Sequence, residues 1–214
     1  ANTKLAGLDL SEATSLVSIG DSALFRTDLE GTLVIPAKVT TVGARAFAYT
    51  KLTSTLKVGP AVKTIGASAF AYTTLTGLGL TKATSLVSIG AWAFYATNLA
   101  DTLVIPAMVT TIGSSAFQGT KLTGLDLSKA ASLVSIVDSA FFGTDLGGTL
   151  VIPAKVTMLG EEAFYNTKLT GLDLSKATSL DLEDLPSFLV SSRSASSVEN
   201  LREPSKLASS IQAS

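Results

Sequence analysis

One segment, "TLVIPAKVTTVGARAFAYT" (residues 32–50), returns as "TLVIPAMVTTIGSSAFQGT" (102–120) and as "TLVIPAKVTMLGEEAFYNT" (149–167). This repetition constrains the chain more than any other feature. A unit of this size cannot bury its own apolar side, so units must stack and share one core. Aligned on the residue after Ala in "AF", the anchors are Leu24, Phe47, Phe70, Phe94, Phe117, Phe141 and Phe164, spaced 23 or 24 residues apart. Three residues after each anchor stands a Thr: Thr27, Thr50, Thr73, Thr97, Thr120, Thr144 and Thr167. Two unit types occur, "KLTGLDLSKAASLVSIVDSAFFGT" (121–144) and "DLGGTLVIPAKVTMLGEEAFYNT" (145–167). The second type runs twice in succession at 28–50 and 51–73, and an eighth unit starts at Lys168 and fades after Leu180. The pattern predicts a repeat solenoid over residues 1–180, about seven to eight coils, each a β-strand plus a turn or short helical segment.

Within a coil, "TLVIP" and "GLDLS" alternate with period two. Leu33 and Ile35, or Leu125 and Leu127, point inward and the residue between them points outward. Pro36, Pro106 and Pro153 end the strand, having no N–H for a ladder. In "VTTIG", Val109 and Ile112 turn inward again, and Gly43, Gly66, Gly90, Gly113 and Gly160 suit a turn with unusual backbone angles. The Phe anchors plug the end of the core.

Composition narrows the function classes. Hydrophobic residues make up 46% and charged residues 15%, so the chain is not a disordered one. A formal net charge of −1 supplies no electrostatic reason to expect nucleic acid or an anionic membrane. The absence of Cys excludes disulfides and thiolate metal sites, and the absence of His removes the commonest general base and transition-metal ligand. No cofactor is expected. No apolar run approaches the roughly 20 residues of a spanning helix, so no transmembrane segment is expected. The chain starts at Ala1, which fits a removed leader or a segment of something longer.

The outward strand column reads Asp9, Val34, Lys57, Gly79, Val104, Asp126, Val151, Asp173. Asp126 and Asp173 stand two coils apart, roughly 10 Å, too wide to share a metal ion or a proton. Without His, a Ser triad lacks its base. The flanking column, Gly7, Thr32, Thr55, Gly77, Thr102, Gly124, Thr149 and Gly171, is small, and its Thr residues alternate with Gly. Such a face accepts a flat partner but cannot converge several groups on one atom.

The aromatic residues outside the anchor column are the candidate contact residues. Tyr49, Tyr72, Tyr95 and Tyr165 lie one or two residues after an anchor, and Phe25 and Phe142 one after. Trp92 lies two before an anchor, where other coils carry Ser22, Arg45, Ser68, Ser115, Ser139 or Glu162, which places it in water. Stacked coils would carry these rings as a broken stripe along one edge, either as partner contacts or lying flat over the rim of the core.

From Lys4 to about Leu180 the units resemble the BspA-like leucine-rich repeats, whose pattern runs close to "L-x-I-P-x-x-V-T-x-I-G-x-x-A-F" followed by a Cys and a Leu. Thr stands at the usual Cys position in every unit, so each hydroxyl is expected to hydrogen-bond a backbone group in its turn. The resemblance implies a right-handed leucine-rich-repeat solenoid. It also implies a role in adhesion or protein binding, no enzyme activity, and a cell-surface or secreted setting, with an organelle lumen or a larger complex as alternatives. Three functions follow as expectations. The first is a scaffold presenting one side to another protein. The second is an accessory subunit of a larger, membrane-associated assembly. The third is an ice-binding or other surface-array binder using Thr ladders, against which stands the interruption of the strand-flanking Thr by Gly.

After residue 180 the period is lost. Residues 181–214 read as a C-terminal cap and Ser-rich tail. Leu185, Phe188 and Leu189 would close the open end of the core. "SSVENLRE" carries a capping box (Ser196, Glu199) for a short helix stopped by Pro204. The tail is a second region that could dock on a partner.

Overall fold

The computed structural model describes residues 8–10 and 12–180. The cap, helix and tail expected within 181–214 lie outside the described residues. The chain winds as a parallel β-solenoid of about seven turns. The continuous ladder is not the "TLVIP" strand. It is the two-residue segment before each Gly: Ser18–Ile19, Thr41–Val42, Thr64–Ile65, Ser88–Ile89, Thr111–Ile112, Ser135–Ile136 and Met158–Leu159 form one seven-stranded parallel sheet in chain order. On the other side, Thr55–Lys57 pairs with Gly77–Gly79, Thr102–Val104 with Gly124–Asp126, and Gly147–Val151 with Lys168–Asp173. The Gly–Thr alternation there is a packing device. A Cβ on Gly77 would stand 2.5 Å from the Thr55 hydroxyl, so Thr of one coil fills the space that Gly of the next leaves open.

Both ladders turn their branched side chains inward. Leu33, Ile35, Val39 and Val42 of one coil, and Leu103, Ile105, Val109 and Ile112 of another, are buried. The anchor rings Phe47, Phe70, Phe94, Phe117, Phe141 and Phe164 stack as a column with centroids 5.1, 5.4, 5.3, 5.2 and 5.6 Å apart. Beyond the area it buries, such a ring pair contributes about 0.5–1.5 kcal/mol.

The third side, around "AF", contains no helix among the described residues. The short helical segment allowed for in the sequence is replaced by a second kind of ladder. Residues two before and two after each anchor have left-handed backbone angles: Ser22, Arg45, Ser68, Trp92, Ser115, Ser139 and Glu162 before it, and Arg26, Tyr49, Tyr72, Ala96, Gly119, Gly143 and Asn166 after it. Alternation of hand aims every second N–H along the stack. Trp92, Phe94 and Ala96 donate to the carbonyls of Ser114, Ala116 and Gln118 in the next coil at 2.8, 2.8 and 2.9 Å. The same three bonds join every consecutive pair of coils from the first to the seventh. The intervening N–H groups close tight turns inside the coil, as in Tyr95 to the Trp92 carbonyl at 3.1 Å. The Thr after each anchor completes this accounting. Its hydroxyl donates to the anchor's own carbonyl, for example Thr50 to Phe47 at 2.8 Å and Thr120 to Phe117 at 2.9 Å. A buried hydroxyl is thereby satisfied in each of the first six coils, and the half-buried Thr167 makes the same bond in the seventh.

One sequence expectation needs correction. Gly43, Gly66, Gly90, Gly113 and Gly160 do not have left-handed angles. They are small because the previous coil's backbone touches them: a Cβ on Gly113 would lie 2.5 Å from the Ala91 nitrogen, and on Gly66 2.6 Å from the Ala44 nitrogen. Gly20, in the first coil, would meet nothing within 4 Å. Gly113→Ala is therefore expected to lower the melting temperature by several degrees, whereas Gly20→Ala leaves it unchanged or raises it slightly. Equal melting temperatures for the two variants would contradict the assigned coil-to-coil contact.

Candidate functional site: an aromatic edge

The left-handed ladder decides where the candidate side chains go. Phe25, Tyr49, Tyr72, Tyr95 and Trp92 meet along one edge. Phe25 packs edge-on against Tyr49 at 5.8 Å, Tyr49 stacks on Tyr72 at 4.5 Å, Tyr72 meets Tyr95 edge-on at 5.2 Å, and Trp92 leans on Tyr95 at 4.8 Å. Gln118 and Gly119 interrupt the stripe in the fifth coil. Phe142 and Tyr165, stacked at 5.5 Å, form a separate pair beyond the gap. Tyr49, Tyr72, Tyr165 and Trp92 remain 43–46% exposed, while Phe25, Tyr95 and Phe142 are half-buried. The rings thus cover each other's faces and present edges and hydroxyls to solvent. Burial among its neighbours and the adjoining Tyr95 and Tyr49 phenols raise the pKa of the Tyr72 hydroxyl, keeping it a protonated donor.

Two residues outside the aromatic pattern belong to this edge. The Arg26 guanidinium lies 5.2 Å from the Phe25 centroid and 5.0 Å from that of Tyr49, and Arg45 lies 5.9 Å from Phe25. Cation–π contacts hold positive charge at one end of the stripe. Column alignment could have found them: they are the only Arg residues within residues 1–180, and no other coil carries a cation in either column.

Left-handed geometry costs a non-Gly residue about 1–2 kcal/mol. In the column of Tyr49 and Tyr72, Gly119, Gly143 and Asn166 occupy it at less cost, while the other residues in the column of Trp92 are Ser, Arg and Glu. Tyr49, Tyr72 and Trp92 have φ of 60°, 57° and 62° and still leave nearly half their surface in water.

The carboxylates of the opposite face have local partners. Asp126 accepts the Ser128 N–H at 2.8 Å and Asp173 that of Ser175 at 2.9 Å, each closing a turn after its strand. The Ser128 hydroxyl and N–H hold the Asp126 carboxyl below the usual carboxylate range, and Ser175 does the same for Asp173. Both are acceptors fixed in the charged form, not poised acids. Among the described residues no His, Cys, Asp and Glu cluster could hold a metal ion, and no helix is long and apolar enough to cross a membrane.

The sequence profile of the BspA type leucine rich repeat region matches residues 1–100 and 63–183, in six copies. No curated protein sequence matches the chain. Among solved structures, the pneumococcal vaccine antigen PcpA superposes with a TM-score of 0.56 at 21% identity, covering 83% of this chain and 44% of that one. A leucine rich cell surface protein of Faecalibacterium prausnitzii A2-165 gives a TM-score of 0.48 at 26% identity, covering 73% of this chain and 43% of that one. The chain spans less than half the length of either. The likeness to PcpA shows the shared fold. With its repeats matched along most of its length, the chain belongs to the BspA type leucine-rich repeat family.

Proposed function

We propose that this chain is a non-catalytic binding module, at the cell surface or secreted, that docks a partner protein on the edge formed by Arg26, Phe25, Tyr49, Tyr72, Tyr95 and Trp92. One observation carries the reading: large rings are held in left-handed conformations at exposed positions where Gly or Asn would cost less. Tyr, Trp and Arg are the residue types that dominate interface energetics. The stacking also fixes the rings before binding, so little side-chain entropy is lost on contact. Repeats of this family are protein-interaction modules as a rule, which agrees with the edge.

A second reading has its own observation. The outward positions of the seven-stranded sheet form an in-register hydroxyl row, Ser18, Thr41, Thr64, Ser88, Thr111 and Ser135, ended by Met158. Beside it runs Val17, Thr40, Lys63, Val87, Thr110, Val134 and Thr157, with Thr40 and Thr110 hydroxyls each tied to the previous coil's carbonyl at 3.1 Å. The strand-flanking Thr residues are interrupted by Gly, but this row is not. A regular row with one charge, spaced about 4.8 Å, suits a repeating solid surface such as ice.

The two readings separate experimentally. Trp92→Asn suits the left-handed angle, so its melting temperature should equal or exceed that of the native chain. Capture of the partner from the source organism should fall by more than about 2 kcal/mol, or thirtyfold. Asp126→Ala should leave capture intact, and the reverse pattern would place the partner on the "TLVIP" face. For the second reading, a seeded solution at its melting point should show arrested, faceted ice growth that Thr111→Lys abolishes. Ordinary ice growth in the native protein eliminates it.

A further inference from the structure

The residues two after each anchor read, in coil order, Arg26, Tyr49, Tyr72, Ala96, Gly119, Gly143, Asn166. All seven are left-handed, and Arg26, Tyr49, Tyr72, Ala96, Gly119 and Asn166 are exposed, with Gly143 half-buried. The order is not random in size. The three large side chains precede Ala96 and three smaller residues follow it, so the column is large on one side of its centre and small on the other. Charge divides less cleanly. Arg26, Arg45 and Asp21 stand exposed in the first two coils and Asp138, Glu161 and Glu162 in the last two, with Asp21 in the column of Asp138 and Glu161. The ion pairs among the described residues, Lys51 with Asp28 and Lys168 with Asp145, involve none of these six.

We propose that the partner of this edge is a second copy of the chain, docked antiparallel about a twofold axis at the level of Trp92. The inference rests on the reading of the edge as a docking surface and names its occupant. A twofold axis lying in the interface, perpendicular to the stack, sets the first coil against the seventh, the second against the sixth and the third against the fifth. It also preserves each residue's position across the edge. Tyr72 then meets the bare Gly119, Tyr49 meets Gly143 beside Phe142, and Phe25 meets Tyr165. A Cβ at Gly119 would touch only Ala96 at 3.9 Å, so the space opposite Tyr72 is open on its own chain. Trp92 and Tyr95 lie on the axis and meet their own copies. Arg45 faces the level of Asp138 and is one coil from Glu162, while Asp21 meets Glu161 at each end, so the fit of large against small side chains and not charge selects this arrangement. The parallel arrangement reverses position across the edge, so Gly119 meets Ser115 and Gly143 meets Ser139, and the space over the two Gly residues stays unfilled. An acidic peptide would pair with Arg26 and Arg45 but meets Asp21 at the same end and leaves the Gly119–Gly143 gap without a partner.

Six coil-to-coil steps of about 4.8 Å make the edge about 30 Å long. So narrow a strip buries less than the ~800 Å² per partner of a standard interface, so the dimer is weak, with dissociation in the range of about 10–100 μM.

Sedimentation equilibrium of the full chain, followed with the emission of its single Trp, tests this. The expected result is a monomer–dimer equilibrium in the micromolar range, with Trp92 emission shifting to the blue as dimer forms. Gly119→Arg places a long side chain opposite Tyr72 in a column that already accepts Arg26. The left-handed angle at Gly119 should lower its melting temperature by a few degrees, and the folded variant should sediment as a monomer. Should Gly119→Arg fail to fold, R45E, on an exposed side chain, weakens the dimer at least tenfold by charge alone. A chain that stays monomeric with constant Trp92 emission overturns the proposal. So does a dimer indifferent to both substitutions. In either case, loss of a different protein's capture on Trp92→Asn leaves the broader docking reading standing. If that capture is unaffected as well, both readings fall.

Discussion

Everything on the exposed edge depends on hydrogen bonds that run from coil to coil through left-handed residues. At each step three N–H groups, two of them on left-handed residues, donate to the next coil at 2.8–3.0 Å. Left-handed geometry costs each non-Gly residue about 1–2 kcal/mol, and a made backbone bond contributes about 1 kcal/mol. Leaving the bond unmade costs more: a buried N–H without an acceptor is unfavourable by about 1–3 kcal/mol. The ladder is therefore stable only while every coil keeps register. Register in turn is held by the stacked Phe column and by Gly residues that let backbones touch.

The same geometry explains why the surface is so regular. A turn that alternates hand cannot shift by one residue without moving an anchor ring out of the core. Outward positions thus recur at the same place in every coil, and a side chain's neighbours are its column mates. That is how Tyr49 and Tyr72 stack at 4.5 Å although 23 residues separate them. Sequence order along a column becomes spatial order along an edge, and gradients of size or charge become features of a surface.

Much of this is legible in the chain. The anchors, the inward Leu and Ile, and the Thr hydroxyls all follow from period and polarity. So does the exposure of Trp92, since Ser, Arg and Glu replace it in other coils. Two things are not legible. The longest sheet is built from two-residue strands, too short for any alternation to register, while the more conspicuous "TLVIP" pattern makes only paired fragments. Most left-handed positions of the ladder are filled by Arg, Tyr, Trp, Ser, Ala and Glu, so the usual Gly or Asn signal survives only at Gly119, Gly143 and Asn166, and the Gly residues ahead of each turn, such as Gly113, mark close contact instead. As to the edge, the stripe and its break are visible by alignment. Arg26 and Arg45 can be found by the same alignment, since each occurs once in its column, but their place over the rings of Phe25 and Tyr49 is visible only in the structure.

Residue-resolved amide hydrogen exchange tests the ladder most directly. Trp92, Phe94 and Ala96 each donate to the fifth coil, while Gly113 donates within the seven-stranded sheet to Ile89 at 2.9 Å. If the left-handed edge is a true inter-coil ladder, the first three amides exchange as slowly as that of Gly113, at rates set by opening of the whole stack. Exchange at Trp92, Phe94 and Ala96 near the rates of an open turn, with Gly113 still protected, would contradict it.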